Sequence, residues 1–433
     1  MTNLNEIRRV LGQRDFRMLW IAQSASVIGD NIVLVALSLF IIERTHSATD
    51  LGLILAAQAL PLVAFLLIGG VWADRLPRHR VMIATDVVRF ALHTLLAALI
   101  FAGSVAIWQV IVIEMLFRTA EAFFRPAANG LLPQTVAEQD IQPATAITGI
   151  SNNVAEFAGP GLAVALVLGA GAGWAFALDA ATFLVSAAFL SQVRPCVRSG
   201  EPVEGANKEH VGVWDSIREG GREVRARTWV WATLAAFCLA LFFGLASWFV
   251  LGPVVAEKQY GHISVYGFVE AAIGFGTIIG SVAGVGWRPR YPIRLGMLAT
   301  LLWPMSAILY AAGVTLVIVI PASVLGGAGF ALFDVWWLTA LAERIPPHAL
   351  SRVSSYDWMF SLGLLPIGYA IMGPLAESLG AVNVLIGGAA LGMVALALGL
   401  IPREVRMLER LGKGRSAVDR DIVSHGHGHG HRS

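Results

Sequence analysis

The chain has 433 residues, of which 56% are hydrophobic and 14% charged, with a mean hydropathy of +0.69. Soluble domains carry about 25% charged residues, so a water-soluble fold would expose too much apolar surface, and the solvent for most of this chain is lipid. A formal net charge of +2 gives no reason to expect a nucleic-acid partner. The two cysteines, Cys196 in a polar stretch and Cys238 in an apolar run, form neither a disulfide framework nor a CxxC metal pair.

The first 18 residues are polar and basic and lack an apolar core before a small-residue cleavage site, so no signal peptide is expected. Crossing about 30 Å of hydrocarbon takes roughly 20 residues of helix. Twelve runs meet that length: 16–42, 51–73, 81–103, 106–128, 141–169, 172–193, 229–256, 263–287, 293–312, 315–342, 352–378 and 381–401. They are too long and too uniformly apolar for barrel strands, which predicts an all-α integral membrane protein. Short signals such as Ala312-Gly313 and Leu379-Gly380 mark the crowded turns of the last four runs.

Charge sets the orientation. With both termini on one side, only Arg44 and Lys258 of the 31 Lys and Arg residues fall on the other, apart from Arg89, Arg118 and Arg125 within spans. The positive-inside rule then puts both ends in the cytoplasm of a bacterial cell membrane and requires an even number of spans. The longest polar segment, 194–228, separates an N-terminal six-helix bundle (1–193) from a C-terminal one (229–402), with a His-rich tail at 403–433. GVWADRLPRHR at 70–80 aligns with GVGWRPRYPIR at 284–294, and Gly159-Pro160 with Gly373-Pro374, both at an offset of 214 residues. Pro133 meets Pro346 at 213. Three matches at a nearly fixed spacing predict two pseudo-symmetric bundles rocking about a central site. Within the linker, VWDSIREGGREVRA reads as a short amphipathic surface helix or as solvated linker. SHGHGHGHRS at the end is a low-complexity tail with incidental metal affinity rather than a metal site.

One acid and three arginines are concentrated in GGVWADRLPRHR, Gly69 to Arg80, between the second and third runs. Gly70 permits close helix approach, and Arg75, Arg78 and Arg80 are expected to anchor to anionic headgroups. Positive-inside topology explains these arginines but not Asp74, since an acid at a helix C-terminus opposes the dipole. Asp74 makes sense as a cytoplasmic latch between the halves, pointing at another helix's N-terminus or pairing with an Arg. Arg288 replaces the acid in the second half, leaving one such latch.

The loop resembles the signature of the major facilitator superfamily, G-x-x-x-D-R-x-G-R-[RK]-[RK], with Pro77 in place of the Gly and His79 in place of a basic residue. Segments 15–37, 85–90, 123–147, 178–187 and 343–355 resemble the drug:H+ antiporter branch that includes macrolide and enterobactin exporters. The resemblance implies the major facilitator fold and proton-driven export of small amphipathic molecules such as drugs, antibiotics or siderophores. Gly159-Pro160 resembles the fifth-helix antiporter motif, whose following Gly pair is here Ala163-Val164. Arg118 matches the arginine of the fourth-helix motif.

Ionisable groups inside a membrane are costly and mark function by default. The first half holds Asp30, Asp86, Arg89, Glu114, Arg118, Glu121, Arg125, Glu156 and Asp179; the second has chiefly Glu270 and Asp334, with Asp357 near a cytoplasmic end. Glu114, Arg118, Glu121 and Arg125 share one helix face with alternating sign. Glu121 and Arg125, expected beside Asp86 and Arg89, form either a structural ladder or a working charge network. Asp30 and Arg118 both fall near mid-membrane, about 21 Å and 18 Å along their helices at 1.5 Å per residue. Asp30 is therefore expected to carry the proton, with Arg118 as its charge partner and Glu114 next in line; a fixed structural pair is the other reading. Glu156 and Asp179 read as structural pairs. Of Phe242, Phe243, Trp248, Trp336 and Trp337, some are expected to line an apolar pocket and most to face lipid.

The sequence thus predicts a monomeric secondary transporter whose partners are a small-molecule substrate, protons and membrane lipid, without cofactor or metal. Importers of small metabolites and non-transporting receptors of the same fold are the alternatives. No HExxH, GxSxG, Walker A or GxGxxG in a strand–helix context is present, which disfavours an enzyme or an ATP-driven pump. The orientation is directly testable. Cysteines introduced at Ser47 and Ser378 are expected to react with an impermeant reagent outside intact cells, and one at Ser199 is not. Labelling of Ser199 from outside would overturn the orientation.

Overall fold

A computed structural model of the chain describes residues 4–68, 77–194, 221–345 and 347–410, and within these every regular element is helical. The helices are α1 (Leu4–Gly12), α2 (Arg14–Thr45), α3 (Ala48–Ile68), α4 (Arg78–Phe101), α5 (Ile107–Leu131), α6 (Ile141–Ala170) and α7 (Ala172–Leu190). After the linker follow α8 (Thr228–Tyr260), α9 (Ser264–Gly286), α10 (Pro292–Ala311), α11 (Leu316–Arg344), α12 (Pro347–Leu362), α13 (Leu365–Leu379) and α14 (Ala381–Gly399). Ten helices among the described residues are long and apolar enough to cross a membrane, with Tyr356–Leu379 counted as one span. Helix is forced because lipid offers no partner for backbone N–H and C=O groups. α5 falls outside the ten because its 25 residues carry Glu114, Arg118, Glu121 and Arg125. The apolar stretch of α3 is the shorter Ala48–Pro61.

Three details depart from straight apolar rods. α8 contains a π-helical turn at Leu241–Leu245, which places Phe242 and Phe243 on a widened segment. The run expected as one span at 352–378 breaks at Gly363, between α12 and α13, where Pro366 cannot continue the ladder of hydrogen bonds. Trp248, Trp336 and Trp337 were expected mostly at the lipid face, yet each is at most 3% exposed. Their indole N–H groups explain it, donating to Glu270, to the Gly284 and Trp287 carbonyls, and to Asp357.

Glycines with positive φ mark several of the turns. Gly103 (φ 67°) and Gly313 (φ 71°) end α4 and α10, and Gly171 (φ 97°) and Gly380 (φ 86°) separate α6 from α7 and α13 from α14. These left-handed backbones suit glycine, which has no Cβ to clash. Within the first part of the chain, α2 packs on α6 and α7, and α4 on α5 and α7; within the second, α11 packs on α9 and α10, and α14 on α8. The two parts meet along two seams, α3 with α13 and α6 with α9. At one end of the seams Thr49 donates to Glu377 at 2.5 Å, and His46 lies 3.9 Å from Glu257.

Arg9 and Gln13 tie the N-terminal helix to buried Asp140, before α6. Beyond α14, Arg290 and Tyr291 bind Glu409, and the Arg290 hydrogen bond holds that exposed carboxyl below its ordinary range. Residues 221–225 of the linker are helical, with Val224 buried; the rest of the expected amphipathic segment and the His-rich tail lie outside the described residues.

Pro160 sits inside α6 and Pro374 inside α13, one residue after the glycines at which their helices are approached most closely. A Cβ on Gly159 would stand 2.5 Å from the Asn31 Cβ and 2.9 Å from its backbone carbon, so α6 rests on the α2 backbone there. Gly161, two residues on, has open space. Gly159→Ala is therefore expected to destabilise the protein by about 1–3 kcal/mol through overpacking, whereas Gly161→Ala leaves stability unchanged. Thermal unfolding of the purified protein in detergent distinguishes the pair.

Candidate functional site

The polar centre lies among α2, α3, α4, α5 and α7. α4 presents Asp86, Arg89 and His93 at i, i+3 and i+7, so all three share one helical face, and each is at most 1% exposed. Arg89 donates Nη2 to Asp86 Oδ1, and the other Asp86 oxygen accepts from Ser186 of α7 at 2.5 Å. The guanidinium lies 4.3 Å from the ring centroids of both Phe124 and Phe183. A ring face attracts a cation most strongly where water is excluded. Arg89 Nη1 is 3.8 Å from Asp30 Oδ2, and the Asp30 side chain is 22% exposed, more than any other acid of this cluster.

One turn further along α4, His93 stacks on Phe117 with centroids 3.9 Å apart and an interplanar angle of 8°. Its Nδ1 contacts Asp179 Oδ2 of α7, and its Nε2 lies 3.6 Å from Glu114 Oε1 of α5. The other Glu114 oxygen accepts from Gln58 of α3 at 2.7 Å. Below them, Glu121 accepts from Arg118 at 2.6 Å and from Arg125 Nη2 at 2.6 Å.

Several expectations change in three dimensions. The cation nearest Asp30 is Arg89, from the neighbouring α4, while Arg118 turns its fork toward Glu121. The α5 stripe divides: Glu114 reaches to α3 and α4, and Arg118, Glu121 and Arg125 form a ladder. Asp179 has a partner, but Glu156 makes no ion pair among the described residues. Sequence reasoning did not single out His93. Its spacing of four from Arg89, on the same face, was the signal available. Of the loop residues, Gly70, Asp74 and Arg75 lie outside the described residues. Arg80 is exposed, and Arg78, expected at headgroups, instead donates to the Gly130 carbonyl at the end of α5 at 2.5 Å.

The second part of the chain is arranged differently. Between α8, α11 and α12 lies a cleft of about 270 Å³ whose lining includes Phe237, Phe330, Trp337, Trp358, Asp334 and Asp357. Asp357 accepts from the Trp337 indole at 3.1 Å, and Asp334 has no ion-pair partner among the described residues. No group of three or more His, Cys, Asp or Glu among the described residues is arranged to hold a metal ion. Clefts with aromatic walls and a few polar groups suit small organic ligands.

Known proteins agree with this architecture. The chain is 22% identical to macrolide efflux protein A of Streptococcus pyogenes, over 91% of its own length and 97% of the relative's. It is 27% identical to the putative bacilysin exporter BacE of Bacillus subtilis, over 61% of this chain and 64% of that one. Among solved structures it superposes on a point mutant of the nucleoside transporter NupG with a TM-score of 0.71 at 13% identity, covering 89% of this chain and 98% of that one. It also superposes on an inward-facing bacterial homologue of the lysosomal transporter Spinster, with a TM-score of 0.68 at 14% identity, covering 95% of this chain and 100% of that one. These structural likenesses show the fold. The family model described as transmembrane secretion effector matches residues 10–418, and the chain belongs to that family of major facilitator transporters: a multi-pass membrane protein that moves small molecules and is not an enzyme.

Proposed function

We propose that the protein is a proton-coupled exporter of small amphipathic molecules. In this reading twelve spans form two six-helix halves, both termini are cytoplasmic, and a single chain is the working unit. The observation that carries it is the charge imbalance around Asp30. Five membrane-embedded acids (Asp30, Asp86, Glu114, Glu121 and Asp179) face three arginines (Arg89, Arg118 and Arg125). Unmatched carboxylates in a low dielectric are expensive, and protons relieve the excess without a further side chain. Asp86 and Glu121 are held by arginine hydrogen bonds, so the movable proton falls to the acids that lack them. Asp30, with 22% of its side chain exposed, is the most accessible of them.

The coupling follows from Arg89. A proton on Asp30 removes the charge that its 3.8 Å neighbour Arg89 balances. Arg89 is then left to Asp86 alone, which weakens the tie between α2 and α4. Loss of the proton restores it. Substrate and proton need not touch; each favours one of the two conformations, which suffices for coupling. The aromatic cleft beside α8, α11 and α12 supports an amphipathic cargo, and the Thr49–Glu377 and His46–Glu257 contacts support a closed outer end. The names of the relatives, macrolide efflux protein and putative bacilysin exporter, support export and antibiotic-like cargo.

The test uses proteoliposomes with erythromycin, ethidium and enterobactin as probes. An imposed proton gradient is expected to drive accumulation of at least one probe, with collapse on adding a protonophore. Asp30→Asn is expected to reduce gradient-driven accumulation to background while retaining probe binding by equilibrium dialysis. If none of the probes responds to the gradient, the export reading fails. If Asp30→Asn still concentrates a probe, Asp30 leaves the mechanism and Glu114 takes its place.

The cytoplasmic loop makes a separate contribution in this reading. Asp74→Asn is expected to leave the protein in the membrane with probe affinity intact but to slow turnover strongly, because the latch acts on switching. Arg80→Ala, at an exposed position, should cost little. Normal turnover in Asp74→Asn would show the acid to be incidental.

A further inference from the structure

His93 lies behind Asp30 with no exposed surface. Phe117 clamps its ring face to face, and Phe176 and Phe183 close it edge-on. Nδ1 contacts Asp179, while Nε2 and Glu114 Oε1, 3.6 Å apart, each lack a hydrogen-bond partner among the described residues. A neutral imidazole carries one N–H. With that hydrogen on Nδ1, donated to Asp179, Nε2 presents a lone pair to an ionised Glu114: two acceptors confront each other in a dry site. One proton between them, carried on the ring or on Glu114, converts the opposition into a hydrogen bond. Buried polar atoms left unpaired in this way are rare and mark a working group or a missing partner.

The surroundings limit where that proton comes from. On the same helix His93 has Asp86 and Arg89; α5 brings Glu114 and Arg118, α7 brings Asp179, α2 brings Asp30, and α3 brings the uncharged amide of Gln58. The second Asp179 oxygen is also unpartnered and sits against Gly29, where any Cβ would collide with the carboxylate. Gly29 immediately precedes Asp30, so the His93 row and the most exposed acid of the cluster both adjoin α2.

We propose that Glu114, His93 and Asp179 form a second proton-binding site, separate from Asp30, that takes up one proton between His93 Nε2 and Glu114 Oε1. It rests on the proton-coupled reading above and adds a buried position to it. The protonated row ties α5 to α4 through a closed hydrogen bond; the deprotonated row leaves that contact open. His93 is here a proton-holding residue rather than packing for Phe117.

The test is infrared difference spectroscopy of the full-length protein in lipid, between alkaline and acidic buffer and without ligand. Bands are read as wild type minus variant, so the other histidines cancel. The wild type is expected to show an imidazole band and a carboxylic acid band that titrate together. His93→Gln is expected to remove that imidazole band and move the carboxylic midpoint by about one pH unit or more. Glu114→Gln, which can still accept from Gln58, is expected to remove the carboxylic band and move the imidazole midpoint. Asp30→Asn should keep both bands, so failure of the second site is read separately from failure of Asp30 coupling. If His93→Gln does not fold, Glu114→Gln decides. Titrations identical to wild type in the folded variants, or no titrating imidazole band at this site, overturn the proposal.

Discussion

Burial of the Arg89 guanidinium is the constraint on which the first half of the molecule depends. A buried guanidinium, sealed among helices in lipid, costs several kcal/mol unless its charge is answered. The answers come from four helices at once: Asp86 on its own α4, Asp30 on α2, Phe124 on α5 and Phe183 on α7. None of these contacts would hold the side chain alone. Together they fix the relative rotation of the helices, because a planar fork between two rings admits little freedom. The neighbouring His93 row can be as tightly organised as it is only because Arg89 has set that register.

The two parts of the chain handle polarity in opposite ways. In the first, five acids share three arginines in a largely buried cluster. In the second, Glu270 and Asp357 are held by indole N–H groups of Trp248 and Trp337, with no arginine or lysine among their hydrogen-bond partners. A neutral donor steadies a carboxyl without cancelling its charge. The seams between the halves are made by small residues: a Cβ on Gly274 would stand 2.8 Å from the Glu156 carbonyl, so α9 and α6 touch backbone to backbone. Such contact is open to glycine because it has no side chain to hold the two backbones apart.

Much of this was legible in the sequence because lipid simplifies the code. The length and apolarity of the runs fix helices, glycines such as Gly313 and Gly380 fix turns, and the family resemblance carried by the loop and the fourth-helix arginine agrees with the matched family. Asp30, Asp86, Arg89 and the α5 stripe stood out because charge inside an apolar run is conspicuous whatever it touches. His93 did not stand out, since a histidine is not obligatorily charged and its meaning lies in its neighbours. The inward turn of Trp248, Trp336 and Trp337 was hidden for a similar reason: an indole serves equally at a lipid interface or in a core, and only a nearby acceptor decides.

The sequence by itself determined which residues are costly in a membrane and on which helices they lie, because desolvation depends on residue type and span, both of which are linear properties. It did not determine who answers whom. Asp30 and Arg118 share a depth, yet the cation beside Asp30 is Arg89, because α4 turns that arginine toward α2 while Arg118 is captured by Glu121 one turn along its own helix. Depth along a helix is counted in residues; azimuth between helices is set by packing, and only the tertiary structure supplied it.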